Sequence, residues 1–225
     1  MCGRFTLASP IEALEALFEL DAADWNDPRY NIAPQTRIVT VRGRRGHRQA
    51  QSLLWGAANP RGGRPLINAR SETAAGSPLF AGPFATGRVL VPADGFYEWV
   101  LTGDARQARY FQRPGLGPFA FAGLRLPAGL GPEGRDSAAV ILTTAASPSI
   151  AEVHDRMPVV IEREDFDTWL DRATGIERVR DLMDGAAAAE WVSHPVGPFV
   201  NNVRHDGPEN IRPVAPAVER QTRLF

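Results

Sequence analysis

Short apolar runs, broken at close intervals by glycine, proline and asparagine, dominate this chain, and helical periodicity is confined to a few brief stretches. Ile38 to Val41 and Gln51 to Trp55 carry strand patterns, and Gly43-Arg44-Arg45-Gly46 between them reads as a turn. Arg88 to Pro92 and Phe96 to Val100 are predicted strands separated at Ala93-Asp94-Gly95. Tyr110–Gln112, Phe119–Leu124, Ala138–Thr144 and Trp191–Val196 continue the β pattern. Ile11, Leu14, Leu17, Phe18 and Leu20 form one apolar stripe at helical spacing, with Ser9 placed as N-cap and Pro10 at the first helical position. Ser147-Pro148 repeats that start signal for a short helix ending near His154, and Asp165–Leu170 and Ile176–Met183 read as short helices. Loops are predicted over Gly56–Pro65 and Gly76–Gly87, and a loose tail over residues 213–225. Many short strands, few helices and no alternation of strand with helix predict an α+β fold.

The length of 225 residues suits one domain, and 44% hydrophobic with 23% charged residues describes a globule able to bury a sizeable core. No apolar run approaches the ~18–20 residues of a membrane span, and no basic segment followed by an apolar run marks a signal peptide. A single cysteine excludes an internal disulfide and leaves no clustered Cys/His zinc motif. A cytoplasmic, nucleoid-associated monomer with no cofactor, metal or membrane contact is expected.

The net charge of −1 conceals an asymmetry. No acidic residue lies between Asp27 and Glu72, yet Arg29, Arg37, Arg42, Arg44, Arg45, Arg48, Arg61, Arg64 and Arg70 all do, while Glu162 to Asp184 leans acidic. Such a stretch fits a polyanion partner, nucleic acid first, or a merely solvated face. All 25 basic residues are arginine. Lysine is absent, so the only primary amine available to the chain is its α-amine.

That amine gives Cys2 its interest. Removal of Met1, expected before a small second residue, would place the sole thiol and the sole amine on one residue. An α-amine titrates near 7.7–8.0, so roughly a tenth of it is a neutral nucleophile at pH 7. A 1,2-aminothiol condenses with an aldehyde to a Schiff base, which the thiol closes to a five-membered thiazolidine. The opposing reading is a lone cysteine acting as a small buried hydrophobe. Gly3 permits close approach of a ligand, and Arg4 suits an anion.

Other polar residues stand where packing does not ask for them. Asn68 and Arg70 fit orientation of a substrate oxygen and a bidentate grip on phosphate, or simply a strand end with a surface arginine. Glu98 shares a strand face with Phe96, opposite Tyr97 and Trp99. A carboxylate on an apolar face suits proton transfer, whereas an exposed glutamate on an edge strand would do nothing. His154 titrates near neutrality and is read either as a proton shuttle or as a helix cap, with Arg156 beside it as a second phosphate ligand.

The ordered set Cys2-Gly3-Arg4-Phe5, Tyr30-Asn31-Ile32-Ala33-Pro34, Trp55-Gly56, Leu66 to Thr73, Val91 to Trp99, Phe121 to Leu124, Ile141 to Ala145, His154 to Pro158 and Val200-Asn201-Asn202 resembles the SOS-response-associated peptidase (SRAP) family. The resemblance implies a single SRAP-like domain over residues 1–212, with mostly antiparallel sheets in a barrel-like core flanked by short helices. It implies a protein that senses abasic sites in single-stranded DNA and shields them as a thiazolidine crosslink, a lyase-like activity of the DNA damage and SOS response. By motif, Cys2 is then the nucleophile, and Asn68 helps hold the sugar. Glu98 moves protons during condensation, and His154 assists Schiff-base chemistry and reversal. Arg4, Arg70 and Arg156 hold phosphates, Asn31 and Pro34 line the channel, and Trp55 and Trp99 stack on bases or support it.

Three positions depart from the family pattern. Ala57 to Arg64 contains no aromatic where family members often carry further ones, Val100 replaces a usual lysine, and Arg125 replaces a common tryptophan. The first departure implies greater reliance on charge. Two other functions remain compatible with these residues. One is a thiol hydrolase or peptidase using Cys2 with Glu98 and His154, including removal of the residue before Cys2. The other is a non-covalent single-stranded DNA-binding module indifferent to Cys2.

Overall fold

The structure, a computed structural model, describes residues 2–20, 27–102, 105–129 and 137–216. Thirteen strands are described: β1 (Phe5–Leu7), β2 (Arg29–Ile32), β3 (Arg37–Arg42), β4 (Gln49–Trp55), β5 (Asn68–Arg70), β6 (Arg88–Ala93), β7 (Gly95–Thr102), β8 (Ala105–Gln112), β9 (Phe119–Leu126), β10 (Ala138–Ala145), β11 (Arg156–Pro158), β12 (Val160–Ile161) and β13 (Val192–Pro195). Six short helices accompany them: α1 (Ile11–Phe18), α2 (Ser71–Ala74), α3 (Ala81–Thr86), α4 (Pro148–Ala151), α5 (Phe166–Leu170) and α6 (Ile176–Gly185).

The strands form two sheets. The first runs β13-β8-β7-β1-β2 and is antiparallel throughout. In the second, pairing runs from β10 through β4, β3, β6 and β9 and back to β10, with β11 and β5 on β10 and β12 on β9. Its only described parallel pairs are β10 with β4 and β10 with β5. The α+β class with mostly antiparallel sheets is therefore as the pattern predicts.

Burial explains the composition of the strands. β6 and most of β9 and β10 are buried on both faces, so they read as nearly continuous apolar runs rather than alternating ones. β7 alternates, as expected of a strand between two different surroundings. Phe96 joins the main core with Phe5, Trp55 and Phe121, whereas Tyr97 joins a second cluster with Ala108, Tyr110, Val196 and Val200. The segment 196–211 covers that second face, so the first sheet is buried on both sides.

Several sequence expectations are corrected. Ser9 does not cap α1: its hydroxyl donates to Asp94 Oδ1 at 2.6 Å, and its amide to Asp94 Oδ2 at 2.9 Å. Asp94 thereby anchors the end of β1 to the β6–β7 corner. Residues 76–87 are not all turn, because Phe84 is buried and Pro83 falls in the first turn of α3, where its missing amide costs nothing. β1, β2, β5, β11 and β12 are two to four residues long, too short to show a period. The segment expected to be a loose tail is attached at its start, where Pro213 bridges Val196 and the Val214 amide donates to Pro195 O at 3.0 Å. Residues 217–225 of that expected tail lie outside the described residues. No described helix is long and apolar enough to cross a membrane.

Gly95 permits the closest approach in the first sheet. A Cβ there would fall 2.5 Å from Phe111 O and against the Tyr110 ring. Gly95→Ala is expected to lower unfolding stability by about 1–3 kcal/mol, the usual cost of overpacking. Urea titration checks this, and an unchanged midpoint would contradict the packing described.

Candidate functional site

The site is built around the end of β1. Phe5 pairs with Phe96 and Thr6 with Gly95, and the Tyr97 amide donates to Arg4 O at 3.0 Å, which carries the same register toward the N-terminus. Continuing it sets Gly3 against Glu98. Cys2 is completely buried, and its carbonyl accepts the Asn68 Nδ2–H at 2.8 Å. β5 brings Asn68 there through its parallel pairing with β10, opposite Ile141. The Asn68 Oδ1 is buried and makes no hydrogen bond among the described residues, so an acceptor remains available beside Cys2. Glu98 is 4% exposed on β7, which lies between β8 and β1, so it is not a solvated glutamate on an edge strand. Cys2, Asn68 and Glu98 thus come together from three separate segments.

Electrostatics follow from this burial. Desolvation pushes the Cys2 thiol well above its ordinary value, and the neighbouring Glu98 charge raises it further. At neutral pH the sulfur is a thiol and not a thiolate. Burial lowers the Arg4 guanidinium from its ordinary value, with opposition from Tyr97.

Arg4 ties the site to the C-terminal part of the chain. Its Nη1 donates to Asn31 Oδ1 at 2.6 Å and to Val200 O at 2.7 Å, and its guanidinium lies over the Trp99 ring, 5.7 Å from the centroid. The Trp99 indole donates to Asn201 Oδ1 at 2.8 Å. Asn31 is buried, and its amide group donates to the carbonyls of Asn202 at 3.0 Å and His205 at 2.7 Å. Asp206 in turn accepts the backbone amides of Tyr30 and Asn31 and pairs with Arg29. Pro34 is half-buried in the turn after β2.

A second group of polar residues lies along β5, β10 and β11. Arg70 is exposed and has no side-chain partner among the described residues. Arg156 is not open: its guanidinium forks onto both Glu72 oxygens, and Nη2 also reaches the Thr143 carbonyl and hydroxyl. The Arg156 hydrogen bond holds the Glu72 carboxyl below its ordinary value. His154 Nδ1 accepts the Arg156 backbone N–H at 2.9 Å and lies 2.9 Å from Asp155 Oδ1.

Two expectations change. Trp55 is completely buried, packed edge-on against Phe5 with its indole N–H on Ile67 O at 3.0 Å. It presents no face to a base. The acid-free arginine stretch is not one surface. Arg48 is 4% exposed and bonded to Asp167 and Phe18 O, while Arg29 and Arg45 are paired with Asp206 and Glu19. Arg42, Arg44 and Arg45 line a separate open cleft of about 890 Å³ with His47, Arg125 and Arg172. Sequence reading missed Asp206, assigned Glu72 no role, and overlooked Val200 O and Asn201 as the anchors of Arg4 and Trp99. Among the described residues, no group of His, Cys, Asp or Glu is placed to hold a metal ion.

Comparison with known proteins places the whole chain beside a family. Residues 1–203 match the profile "SOS response associated peptidase (SRAP)". The chain is 34% identical over 224 residues to "Abasic site processing protein YedK" of Escherichia coli (strain K12), covering 95% of this chain and 100% of that one. It is 31% identical to "Abasic site processing protein YoqW" of Bacillus subtilis (strain 168), over 94% of this chain and 99% of the other. Among solved structures, a protein of Bacteroides thetaiotaomicron superposes with a TM-score of 0.75 at 18% identity, over 95% of this chain and 100% of that chain. A phage-related protein of Bordetella bronchiseptica gives 0.69 at 29% identity, over 87% and 94% of the two chains.

The raised, buried thiol has a direct consequence. Iodoacetamide at pH 8 is expected to alkylate Cys2 in the native protein about tenfold or more slowly than in the urea-unfolded chain, because only thiolate reacts. Intact-mass kinetics measure this, and equal rates would contradict the burial of Cys2.

Proposed function

The chain belongs to the SOS response associated peptidase (SRAP) family, and we propose that it processes abasic sites in single-stranded DNA by covalent capture through Cys2. The observation that carries the proposal is the convergence of Asn68 and Glu98 on the chain's sole cysteine. Once Met1 is removed, the Cys2 amine adds to C1 of the ring-opened sugar aldehyde. The carbinolamine loses water to give an imine. The Cys2 sulfur then bonds to the imine carbon as its proton passes to nitrogen, and a thiazolidine results.

The residues supply what each step requires. A thiol held in its protonated form leaves the neutral amine to attack first and reserves sulfur for ring closure. Glu98, next to the sulfur, accepts and returns protons. Asn68 fixes the Cys2 backbone and offers Oδ1 to a sugar hydroxyl. His154, held at Nδ1 by the Arg156 backbone and Asp155, serves reversal and the β-elimination branch. Arg4, Arg70 and Arg156 are the phosphate ligands, and Asn31 and Pro34 shape the channel, the former by holding Arg4. Trp99 backs the Arg4 guanidinium.

A peptidase reading requires a resting thiolate at Cys2, and a buried thiol beside a carboxylate disfavours one. A purely non-covalent DNA-binding module leaves the convergence on Cys2 without purpose.

Single-stranded DNA carrying one abasic site is expected to give a heat-stable adduct with wild-type protein and none with Cys2→Ala. No wild-type adduct, or as much from Cys2→Ala, would overturn the proposal. Intact mass verifies that Met1 has been removed from the protein used. The initial rate is expected to rise about tenfold per pH unit below the α-amine pKa of roughly 7.7–8.0 and to flatten above it.

Glu72 competes with phosphate for Arg156. Glu72→Gln is expected to tighten binding of single-stranded DNA several-fold at low salt, measured by fluorescence anisotropy. Weaker binding would show instead that Glu72 is needed to position Arg156.

A further inference from the structure

Phe199 is the only exposed residue among the described Phe, Tyr and Trp, with half of its surface accessible (51%) and the exposed His205 ring 5.8 Å from its own. It belongs to a one-turn 3-10 helix, Pro198–Asn201, that is fastened to the site rather than free. Val200, the next residue, is buried, and its carbonyl accepts from Arg4 Nη1 at 2.7 Å and from Asn31 Nδ2 at 3.3 Å. Asn201 accepts the Trp99 indole at 2.8 Å, and the Asn202 carbonyl accepts Asn31 at 3.0 Å. Each of those partners belongs to the constellation that holds the end of β1. The ring of Phe199 is therefore exposed on a backbone whose position is fixed relative to Arg4.

An exposed ring on a fixed mount presents a planar apolar face to a ligand. Its surroundings say what kind of ligand. Val203, four residues on, is 54% exposed, and the neighbouring exposed residues Asn201, Asn202 and Arg204 are polar or cationic. A flat aromatic ligand attached to anionic groups matches such surroundings, which describes a nucleobase on its phosphodiester chain. Of the other two aromatics named for the DNA path, Trp55 is fully buried, and Trp99 is half-buried with Arg4 over its ring and its indole on Asn201.

We infer that Phe199, with Val203 beside it, is a stacking platform for the base of a nucleotide flanking the abasic sugar. It takes the place of the aromatics absent from Ala57 to Arg64. The inference rests on the reading of the site as one for single-stranded DNA, and it adds a base-binding subsite to a path otherwise made of phosphate ligands. Stacking is tolerant of sequence, so the platform would hold any flanking base without specifying it.

The test uses full-length protein and single-stranded DNA that carries an unreactive tetrahydrofuran abasic analogue flanked by 2-aminopurine. Wild-type protein is expected to quench the 2-aminopurine fluorescence on binding. Phe199→Ala is expected to abolish the quench and weaken binding about fivefold or more, the lower end of base–aromatic stacking. The slope of log affinity against log salt should stay as in wild type, because no phosphate contact is lost. Phe199→Trp should restore both quench and affinity. Phe199 is exposed, so the alanine variant should unfold at the wild-type temperature, which circular dichroism verifies. Phe199→Ala binding within about twofold of wild type, with the quench intact, would overturn the inference. If Phe199→Ala weakens binding while wild-type protein forms no adduct with true abasic DNA, the platform stands and covalent capture fails. If wild-type protein does not bind the analogue DNA, both fall.

Discussion

β1 is held between β7 and β2 by only three residues, Phe5 to Leu7, with Phe5 opposite both Phe96 and Ile32. A strand this short gains little from its own hydrogen bonds. Its register is fixed by what its side chains bury: Phe5 is 1% exposed and packs edge-on against Trp55 and Phe121. A slip of one residue would move Phe5 out of that core and send Thr6 into it. The same slip would carry Cys2 away from Glu98 and Asn68, so aromatic packing at Phe5 sets the geometry of the reactive group.

Polar restraints close the two ends of this strand. At one end Asp94 receives the Ser9 hydroxyl and backbone amides, and at the other Arg4 reaches across to Asn31 and Val200. The Arg4 contact joins residues separated by 196 positions and makes the C-terminal segment a wall of the site. A guanidinium taken partly out of water is costly unless its donors are satisfied, and here an amide oxygen, a carbonyl and an aromatic face receive it. The resulting framework fixes Trp99 and the 3-10 turn bearing Phe199 relative to Cys2.

The arginines show how charge is shared between structure and ligand. Arg88 is 7% exposed and bonded to backbone carbonyls of Phe84 and Trp169, so it holds α3 and α5 against β6. Arg48 does similar work at Phe18 and Asp167. Arg70 is exposed, and Arg156 is held by the Glu72 carboxylate. Counting arginines in a segment therefore overstates the charge offered to a polyanion.

Much of the site was legible in the chain itself. A sole thiol in a chain without lysine singled out Cys2 as the residue around which to look for a site. Period-two alternation placed Glu98 with Phe96 and apart from Tyr97 and Trp99, and the long apolar strands announced themselves. Other features had no local signal. Strands of two to four residues carry no period, Ser9 looks like a helix cap until Asp94 is seen beside it, and Trp55 looks available until Phe5 covers it. Arg156 reads as a free cation because its partner Glu72 lies 84 positions away in sequence. Sequence by itself determined which atoms could react and which faces had to be buried, since both follow from residue type and spacing. Tertiary structure alone decided which of them meet, because burial and long-range hydrogen bonds depend on segments that the chain order keeps apart.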